Sequence, residues 1–260
     1  MMEIKLGIFG PNGRMGMDLI DQLKDFSSLK LTALCEKRGH KLIGKKVSNI
    51  IVTDDIDYFL EKTDVVIDFT SPSATLELLK KMDNFNHNLS LVTGTTGYTE
   101  QEEKSFRSLI NGKKILRSFN MSIGINLLKD LIKSTSKSIG IQSDIEITEI
   151  HHNKKKDVPS GTSISLAESI KEGDKRLNKL NYREKDNNNL RTKNEIGFSS
   201  IRGGDVIGEH TVLFFLDGER IELKHVASSR KIFSVGALEA AIWIIKQKPG
   251  LYSIMDMVKV

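Results

Sequence analysis

Between Glu149 and Thr162 the chain gathers His151, His152, three lysines (Lys154, Lys155, Lys156), Asp157 and the turn Ser160-Gly161-Thr162. These residue types have complementary uses. A histidine can give a proton near neutral pH, cations hold carboxylates, and backbone N–H groups at a helix start cradle an anion. Together they describe a reaction centre for a small acidic substrate. Each member alone has a blander explanation: adjacent histidines at a strand end are usually solvated or hydrogen-bonded, and a lysine run usually faces water. The alternation of polar and apolar residues from Asp144 to Thr148 predicts a half-buried strand that delivers the histidines to a loop. Pro159 then sets up a helix near Ser163.

A second constellation sits at the N-terminus. The apolar strand Ile4–Phe9 runs into Gly10-Pro11-Asn12-Gly13-Arg14-Met15-Gly16, and Met17, Leu19, Ile20 and Leu23 follow at helical spacing. Its glycine spacing departs from the common G-x-G-x-x-G fingerprint. The physical demands are unchanged: a tight turn, backbone close to a pyrophosphate, and close packing of helix on strand. A further strand, Leu29 to Leu34, ends at Glu36, about 20 residues beyond the glycines, where an acid would hold the adenosine ribose hydroxyls. Lys37 and Arg38 follow at once and could neutralise a 2′-phosphate, so the local signals admit both NADH and NADPH.

Asp64 to Thr70 reads as a buried parallel-type strand, with Ser71-Pro72-Ser73 capping a helix from about Ala74 to Met82. Leu89 to Thr93 is another strand, ending in Gly94-Thr95-Thr96-Gly97. Loops at the C-terminal ends of strands in a doubly wound sheet face the ligand crevice, so Phe69, Thr70 and the Gly94 to Gly97 loop should border the nicotinamide. A helix over Glu100 to Ile110 and a strand from Lys114 to Arg117 complete this domain.

The domain boundary is expected after Ser122. A helix from Leu127 to Ser138, with Leu127, Leu128, Leu131 and Ile132 on one side, leads into the histidine strand. Gly173 to Glu195, with Asn187-Asn188-Asn189, reads as a long polar excursion. Ile196 to Ile201, Val206 to Phe215 and Arg220 to Val226 alternate in the manner of antiparallel strands, with turns at Gly203-Gly204 and Asp217-Gly218. The last helix, Ser234 to Lys246, is expected to return to the first domain. The expected fold is therefore α/β: a Rossmann-type nucleotide-binding domain (residues 1–122 and 233–260) and an α+β substrate-binding and oligomerisation domain with a mixed open sheet (residues 123–232).

Composition sets outer bounds. A chain of 260 residues with 28% charged and 38% hydrophobic residues has the make-up of an ordinary globular protein. The net charge of +5 is a mild excess spread along the chain and gives no case for nucleic acid. A single cysteine, Cys35, rules out an intrachain disulfide and fits a reducing compartment. No apolar run approaches the roughly 20 residues that a membrane helix needs, and the N-terminus carries no charged-then-apolar leader, so no membrane and a cytoplasmic location are expected. The six histidines hold no H-E-x-x-H or similar pair, so no metal site is expected.

The pattern H-H-x-x-K-x-D-x-P-S-G-T is met by His151, His152, Lys155, Asp157, Pro159, Ser160, Gly161 and Thr162. With Gly10 to Gly16, Asp68-Phe69-Thr70, Gly94-Thr95-Thr96-Gly97, Asn120-x-Ser122 and Arg202-x-Gly204-x-x-x-Gly208-x-His210, the sequence resembles the bacterial dihydrodipicolinate reductase family over nearly its whole length. The family's 4-hydroxy-tetrahydrodipicolinate reductase activity belongs to diaminopimelate and lysine biosynthesis. The resemblance implies hydride transfer from NADH or NADPH to a cyclic dicarboxylate, with loss of its hydroxyl as water, by a homotetramer. It implies that His151 is the acid, Lys155 a second proton donor, and His152, Ser160, Gly161 and Thr162 the substrate-carboxylate ligands. Cofactor contacts are expected from Gly10, Pro11, Asn12, Gly13, Arg14, Met15, Glu36, Lys37, Phe69, Gly94, Thr95, Thr96, Ser118, Phe119, Asn120 and Met121. Consecutive strand residues point to opposite faces, so His151 and His152 cannot do identical jobs unless the strand has already ended. Two other readings compete: a dehydrogenase of similar build for another small acid, and a nicotinamide-sensing binding protein without turnover.

Overall fold

The computed structural model describes residues 3–85, 89–182 and 190–258, which fall into two compact units: one up to Ile123 and again from Lys231 onward, the other Gly124–Arg230. In the first unit, β1 (Ile4–Phe9) turns into α1 (Arg14–Gln22) and then β2 (Leu29–Cys35), and a short hairpin of β3 (Lys46–Val47) and β4 (Ile50–Thr53) precedes α2 (Ile56–Glu61). β5 (Val65–Asp68), α3 (Pro72–Met82), β6 (Ser90–Thr93), α4 (Glu100–Leu109) and β7 (Lys114–Arg117) follow.

Local chemistry explains these boundaries. All four residues of β5 and all four of β6 are buried, as central parallel strands covered on both faces require. Pro72 occupies the first turn of α3, where its missing N–H costs nothing, and a reciprocal capping box between Thr99 and Glu102 starts α4.

In the second unit, α5 (Ile123–Ile139) leads through a 3-10 turn to β8 (Asp144–His151), then α6 (Gly161–Gly173), β9 (Lys179–Asn181), β10 (Glu195–Arg202), β11 (Gly208–Leu216) and β12 (Glu219–Ala227). The chain then closes with α7 (Lys231–Ile244), β13 (Gly250–Tyr252) and α8 (Ile254–Val258).

The first sheet runs β13-β7-β6-β5-β1-β2-β4-β3. Its interior pairs are parallel, β3 alone is antiparallel at one edge, and β13 adds to the other edge in parallel with β7. The chain moves outward from β1 through β2 and β4, then restarts at β5 on the other side. The switch in direction between β1 and β5 is where a doubly wound sheet opens its ligand crevice. Two apolar clusters fill its faces, one including Leu6, Leu19, Ile67 and α7 residues Ala237, Leu238 and Ala241, the other including Phe59, Leu78, Leu91 and Phe106.

The second sheet is mixed, in the order β12-β11-β8-β10-β9. β10 pairs in parallel with β8 and β9, whereas β11 is antiparallel to both β8 and β12. This corrects the reading of three successive antiparallel strands, because β8 inserts between β10 and β11 and the Gly203-Gly204 turn closes no hairpin. Strand alternation alone carries no information about which neighbour is chosen.

Three further expectations shift. α5 begins at Ile123 rather than Leu127 and buries Ile125, Leu128 and Ile132, leaving Leu127 and Leu131 exposed. α6 begins at Gly161, two residues before Ser163. The excursion after Gly173 contains β9, and Tyr182 stacks on Phe198 with ring centroids 5.3 Å apart. Asn187-Asn188-Asn189, also placed in that excursion, lies outside the described residues.

Candidate active site

In the first unit, the turn after β1 is built for close backbone approach. Gly10 has φ of 80°, and its N–H donates to the Cys35 carbonyl at 2.8 Å. A Cβ on Gly16 would sit 2.4 Å from the Gly10 carbonyl oxygen and 2.7 Å from the Cα of Pro11, so only glycine lets α1 start this close to the turn. Beside it, Glu36 is aimed by backbone: its carboxylate accepts the Asn12 N–H at 3.0 Å and the Lys37 N–H at 3.2 Å.

A cavity of about 760 Å³ opens at this place, lined by Gly10, Asn12, Gly13, Glu36, Lys37 and Phe69 among the expected cofactor residues. Arg38 and Thr70, also read from sequence as facing the cofactor, join its wall, as does His40, which was not. The turn, the oriented acid and the adjacent cations suit a nicotinamide dinucleotide, with the helix N-terminus available to a pyrophosphate.

The floor of this site depends on Asp68, which is fully buried at the end of β5. Its Oδ1 accepts from the Thr70 N–H at 3.0 Å and hydroxyl at 2.6 Å, and its Oδ2 accepts from the hydroxyls of Thr75, Thr93 and Thr95 at 2.5, 2.9 and 3.1 Å. One carboxylate therefore ties the ends of β5 and β6 to the first turn of α3. Thr95 is 2% exposed and its hydroxyl is committed to this cluster, so its side chain holds the loop, whereas its neighbour Thr96 is exposed. Gly94 leaves room for the Phe69 ring, since a Cβ there would lie 2.0 Å from that ring.

Of the remaining expected cofactor residues, Pro11 is buried beneath the turn, while Arg14 is exposed and Met15 half-buried at the start of α1. After β7, Ser118 donates its hydroxyl to the Asn120 carbonyl at 2.7 Å, and Phe119 is exposed with the Arg117 guanidinium 4.8 Å from its ring centre. Met121 is 1% exposed and packs in the core, leaving only its backbone for any ligand.

In the second unit, β8 presents Ile145, Ile147, Glu149 and His151 on its buried face. Glu149 is 1% exposed and gathers donors from two other elements. Its Oε2 accepts the Ser160 N–H at 3.0 Å and the Ser163 hydroxyl at 2.6 Å, and its Oε1 accepts the Ser200 hydroxyl at 2.9 Å and Arg202 Nη2 at 2.7 Å. Burial pushes its pKa up, but the hydrogen bonds from Ser160, Ser163 and Arg202 more than offset this and hold it at about 2.

His151 stands 3.8 Å from Glu149, through Nδ1, and its ring meets that of His210 edge-on at 5.0 Å. Burial lowers the His151 pKa; Glu149 opposes that shift, while Lys155 and Arg202 add to it. His210, more deeply enclosed, falls to about 4 through burial and the neighbouring His151. Glu149, His151 and His210 bring potential ligand atoms within 4.8 Å of one another. Each Glu149 oxygen already accepts two hydrogen bonds, one of the four from a guanidinium, which leaves the carboxylate little acceptor capacity for a metal ion.

The loop after β8 is pinned by backbone bonds from Asn153 to Gly204, from Gly203 to His151 and from Lys155 to His152, at 3.2, 2.9 and 3.1 Å. His152, past the strand, lies 3.4 Å from the Arg230 guanidinium through Nε2, while Lys155 pairs with Asp157 at 2.8 Å and lowers that acid's pKa. Ser160 caps α6, its hydroxyl accepting the Ser163 N–H at 3.2 Å and lying 3.2 Å from His210 Nε2. It is 2% exposed, with its N–H on Glu149 and its hydroxyl engaged; Gly161 and Thr162, at the open first turn of a 13-residue helix, carry N–H groups with no intrahelical partner.

Glu149, Arg202 and His210 were given no role from sequence, although Arg202 and His210 open and close a quoted motif and Glu149 lies two residues before His151. On a strand that spacing puts both on one face, and this signal was available.

The family model described as dihydrodipicolinate reductase, N-terminus, matches residues 4–121, and that described as dihydrodipicolinate reductase, C-terminus, matches residues 124–258. The 4-hydroxy-tetrahydrodipicolinate reductase of Roseobacter denitrificans is 41% identical over 98% of this chain and 96% of that protein. That of Nitratiruptor sp. is 42% identical over 97% of this chain and 98% of the relative. The dipicolinate-bound dihydrodipicolinate reductase structure from Paenisporosarcina sp. TG-14 shares the fold, with a TM-score of 0.76 over 97% of this chain and 98% of that one, at 23% identity.

Because every ligand of Asp68 is a donor, an amide in its place leaves at least one of them unmatched. Asp68→Asn is expected to cost about 1–3 kcal/mol, seen as a melting-temperature fall of about 2–4 °C per kcal/mol, and to weaken NADH binding about tenfold through the loosened β5 and β6 loops. Thermal denaturation and a fluorescence titration with NADH check both; an unchanged melting point and Kd would count against the role given to Asp68.

Proposed function

This chain belongs to the dihydrodipicolinate reductase family, and on that premise we propose how its residues share the work of the reaction. The reaction is NADH- or NADPH-dependent reduction of 4-hydroxy-tetrahydrodipicolinate to tetrahydrodipicolinate with loss of water, in diaminopimelate and lysine biosynthesis. The observation that carries the division of labour is the buried His151, 3.8 Å from a Glu149 carboxylate that is itself bound to the start of α6, together with the Lys155–Asp157 pair.

In this reading, the unit up to Ile123 and from Lys231 onward binds the dinucleotide, and Gly124–Arg230 binds the substrate. The turn from Gly10 to Met15 receives the pyrophosphate, Glu36 and Lys37 meet the adenosine ribose, and Phe69, Gly94, Thr96 and the segment from Ser118 to Met121 border the nicotinamide. When bound, the nicotinamide supplies a hydride. The substrate carboxylates are held by His152, by Lys155 and by the N–H groups of Gly161 and Thr162 at the positive end of α6.

His151 then acts as the acid. Free of substrate it has a lowered pKa, because burial and the nearby cations Lys155 and Arg202 oppose its charge. A dianionic ring beside it reverses that balance, raising the pKa so that His151 holds a proton when the substrate is in place and gives it up as reduction completes. Lys155 is the second donor: the incoming dianion competes with Asp157 for its ammonium group. No metal takes part in this scheme.

A homotetramer formed through the second sheet is proposed on the exposed Phe215, Ile221 and Val226 of β11 and the edge strand β12, large apolar side chains that favour a partner surface. No helix among the described residues is long and apolar enough to cross a membrane, and the lone buried thiol fits a cytoplasmic enzyme.

The product of the preceding condensation step should be required for NADH or NADPH oxidation, followed by absorbance. His151→Gln should lower kcat about 10²-fold or more with little effect on cofactor affinity, and Lys155→Gln should also slow turnover. An unchanged rate in the histidine variant would place the acid elsewhere. Kinetics with both cofactors test the ribose pocket: Lys37→Ala should raise the KM for NADPH more than that for NADH, and Glu36→Ala the reverse, by about tenfold, the worth of one charge-assisted contact. Equal effects on both cofactors would remove these residues from the discrimination. Sedimentation equilibrium should give four times the 29.2 kDa chain mass, and a monomer would refute the tetramer.

A further inference from the structure

We infer that Glu149 is the positioning residue of the substrate site, a single buried carboxylate that fixes the first turn of α6 and supplies the countercharge for His151. The inference rests on the assignment of His151 as proton donor and adds a residue to it. Four donors converge on Glu149 from two elements: Ser160 and Ser163 from the start of α6, and Ser200 and Arg202 from β10. Since β10 is hydrogen-bonded to β8 in parallel, the carboxylate joins two neighbouring strand ends to the helix whose N-terminus cradles the substrate. The same helix turn is set twice over, because Ser160 both donates its N–H to Glu149 and caps Ser163.

The effect on His151 is electrostatic. Nδ1 of His151 is buried without a hydrogen-bond partner, and it faces Glu149 Oε2 at 3.8 Å, too far for a hydrogen bond but close enough for an ion pair. Oε2 is held at that distance by its two α6 donors.

The other groups facing His151 are Lys155 and Asp157 from the loop after β8, Arg202 from β10 and His210 from β11. Lys155, Arg202 and burial all disfavour the imidazolium; Glu149 is the largest influence in its favour, and Asp157 a smaller one. Remove the Glu149 charge and the acid is left among cations in a low-dielectric pocket. His210 cannot replace it, for it carries no negative charge and its own pKa is driven down by the same burial.

The test follows the imidazole signals of His151 by NMR across pH in the wild-type enzyme, Glu149→Gln and Glu149→Asp, alongside pH–rate profiles at saturating NADH. Because Glu149 raises the His151 pKa, Glu149→Gln should shift that titration down by about one pH unit. The high-pH limb of the rate profile should move with it, a loss of about tenfold at pH above both limbs. Glu149→Asp, which keeps the charge, should restore most of the titration shift, which a merely structural role would not require.

A His151 titration unmoved in Glu149→Gln, or equally displaced in Glu149→Asp, would overturn the inference. If the titration shifts but the rate profile does not follow, the role of Glu149 stands and His151 loses its place as the donor. Should Glu149→Gln fail to fold, the wild-type carboxyl signal decides: Glu149 should stay ionised throughout the ordinary carboxylate range, and a midpoint near 4.5 would overturn the proposal.

Discussion

Glu149 is a carboxylate taken out of water, and such a group persists only if donors replace its solvation. It has four, and each comes from a piece of the candidate site: the cap and first turn of α6, the end of β10, and the guanidinium that also holds the Asp157 carbonyl at 2.6 Å. Through the Ser160 N–H and through Arg202, which also holds the Asp157 carbonyl, the loop between β8 and α6 is tied to this one carboxylate.

The first unit uses the same device on a different sheet. Asp68 closes β5 as Glu149 nears the end of β8, and its donors are threonines from β6, from α3 and from its own loop. In both units, a carboxylate at the carboxyl end of a central strand draws the following loops into register. Ligand-facing loops otherwise have few apolar anchors, so a shared anion is an economical way to make them rigid. The two carboxylates differ in what lies beside them: Asp68 is ringed by neutral hydroxyls, whereas Glu149 faces an arginine and two histidines and so also sets local charge.

Several side chains singled out by type work one layer behind the surface. Ser160 and Thr95 belong to motifs that read as ligand contacts, yet both are buried with their hydroxyls in these networks. A hydroxyl's sequence position does not say whether it points at the ligand or at the carboxylate that braces the ligand loop. The same limit applied to α5, where Leu127 and Leu131 share the period of the buried face and still lie outside it. Periodicity defines a stripe, and packing decides where on the stripe the core begins.

The sequence by itself determined most of the alternation of strands and helices in the first unit, though not the β3–β4 hairpin, α2 or β13, together with the glycine turn with its acid at Glu36, the histidine strand, and the motif that carries the family. Each of those is written in short-range terms: apolar period, glycine where a Cβ would clash, a fixed spacing of chemically distinct residues. Only the tertiary structure decided that β8 lies between β10 and β11, and hence that Ser200, Arg202 and His210, some 50 or more positions downstream, close around Glu149. Strand order and the partners of a buried charge are set by long-range pairing and by the demand that every buried donor and acceptor be matched, and no local pattern records that choice.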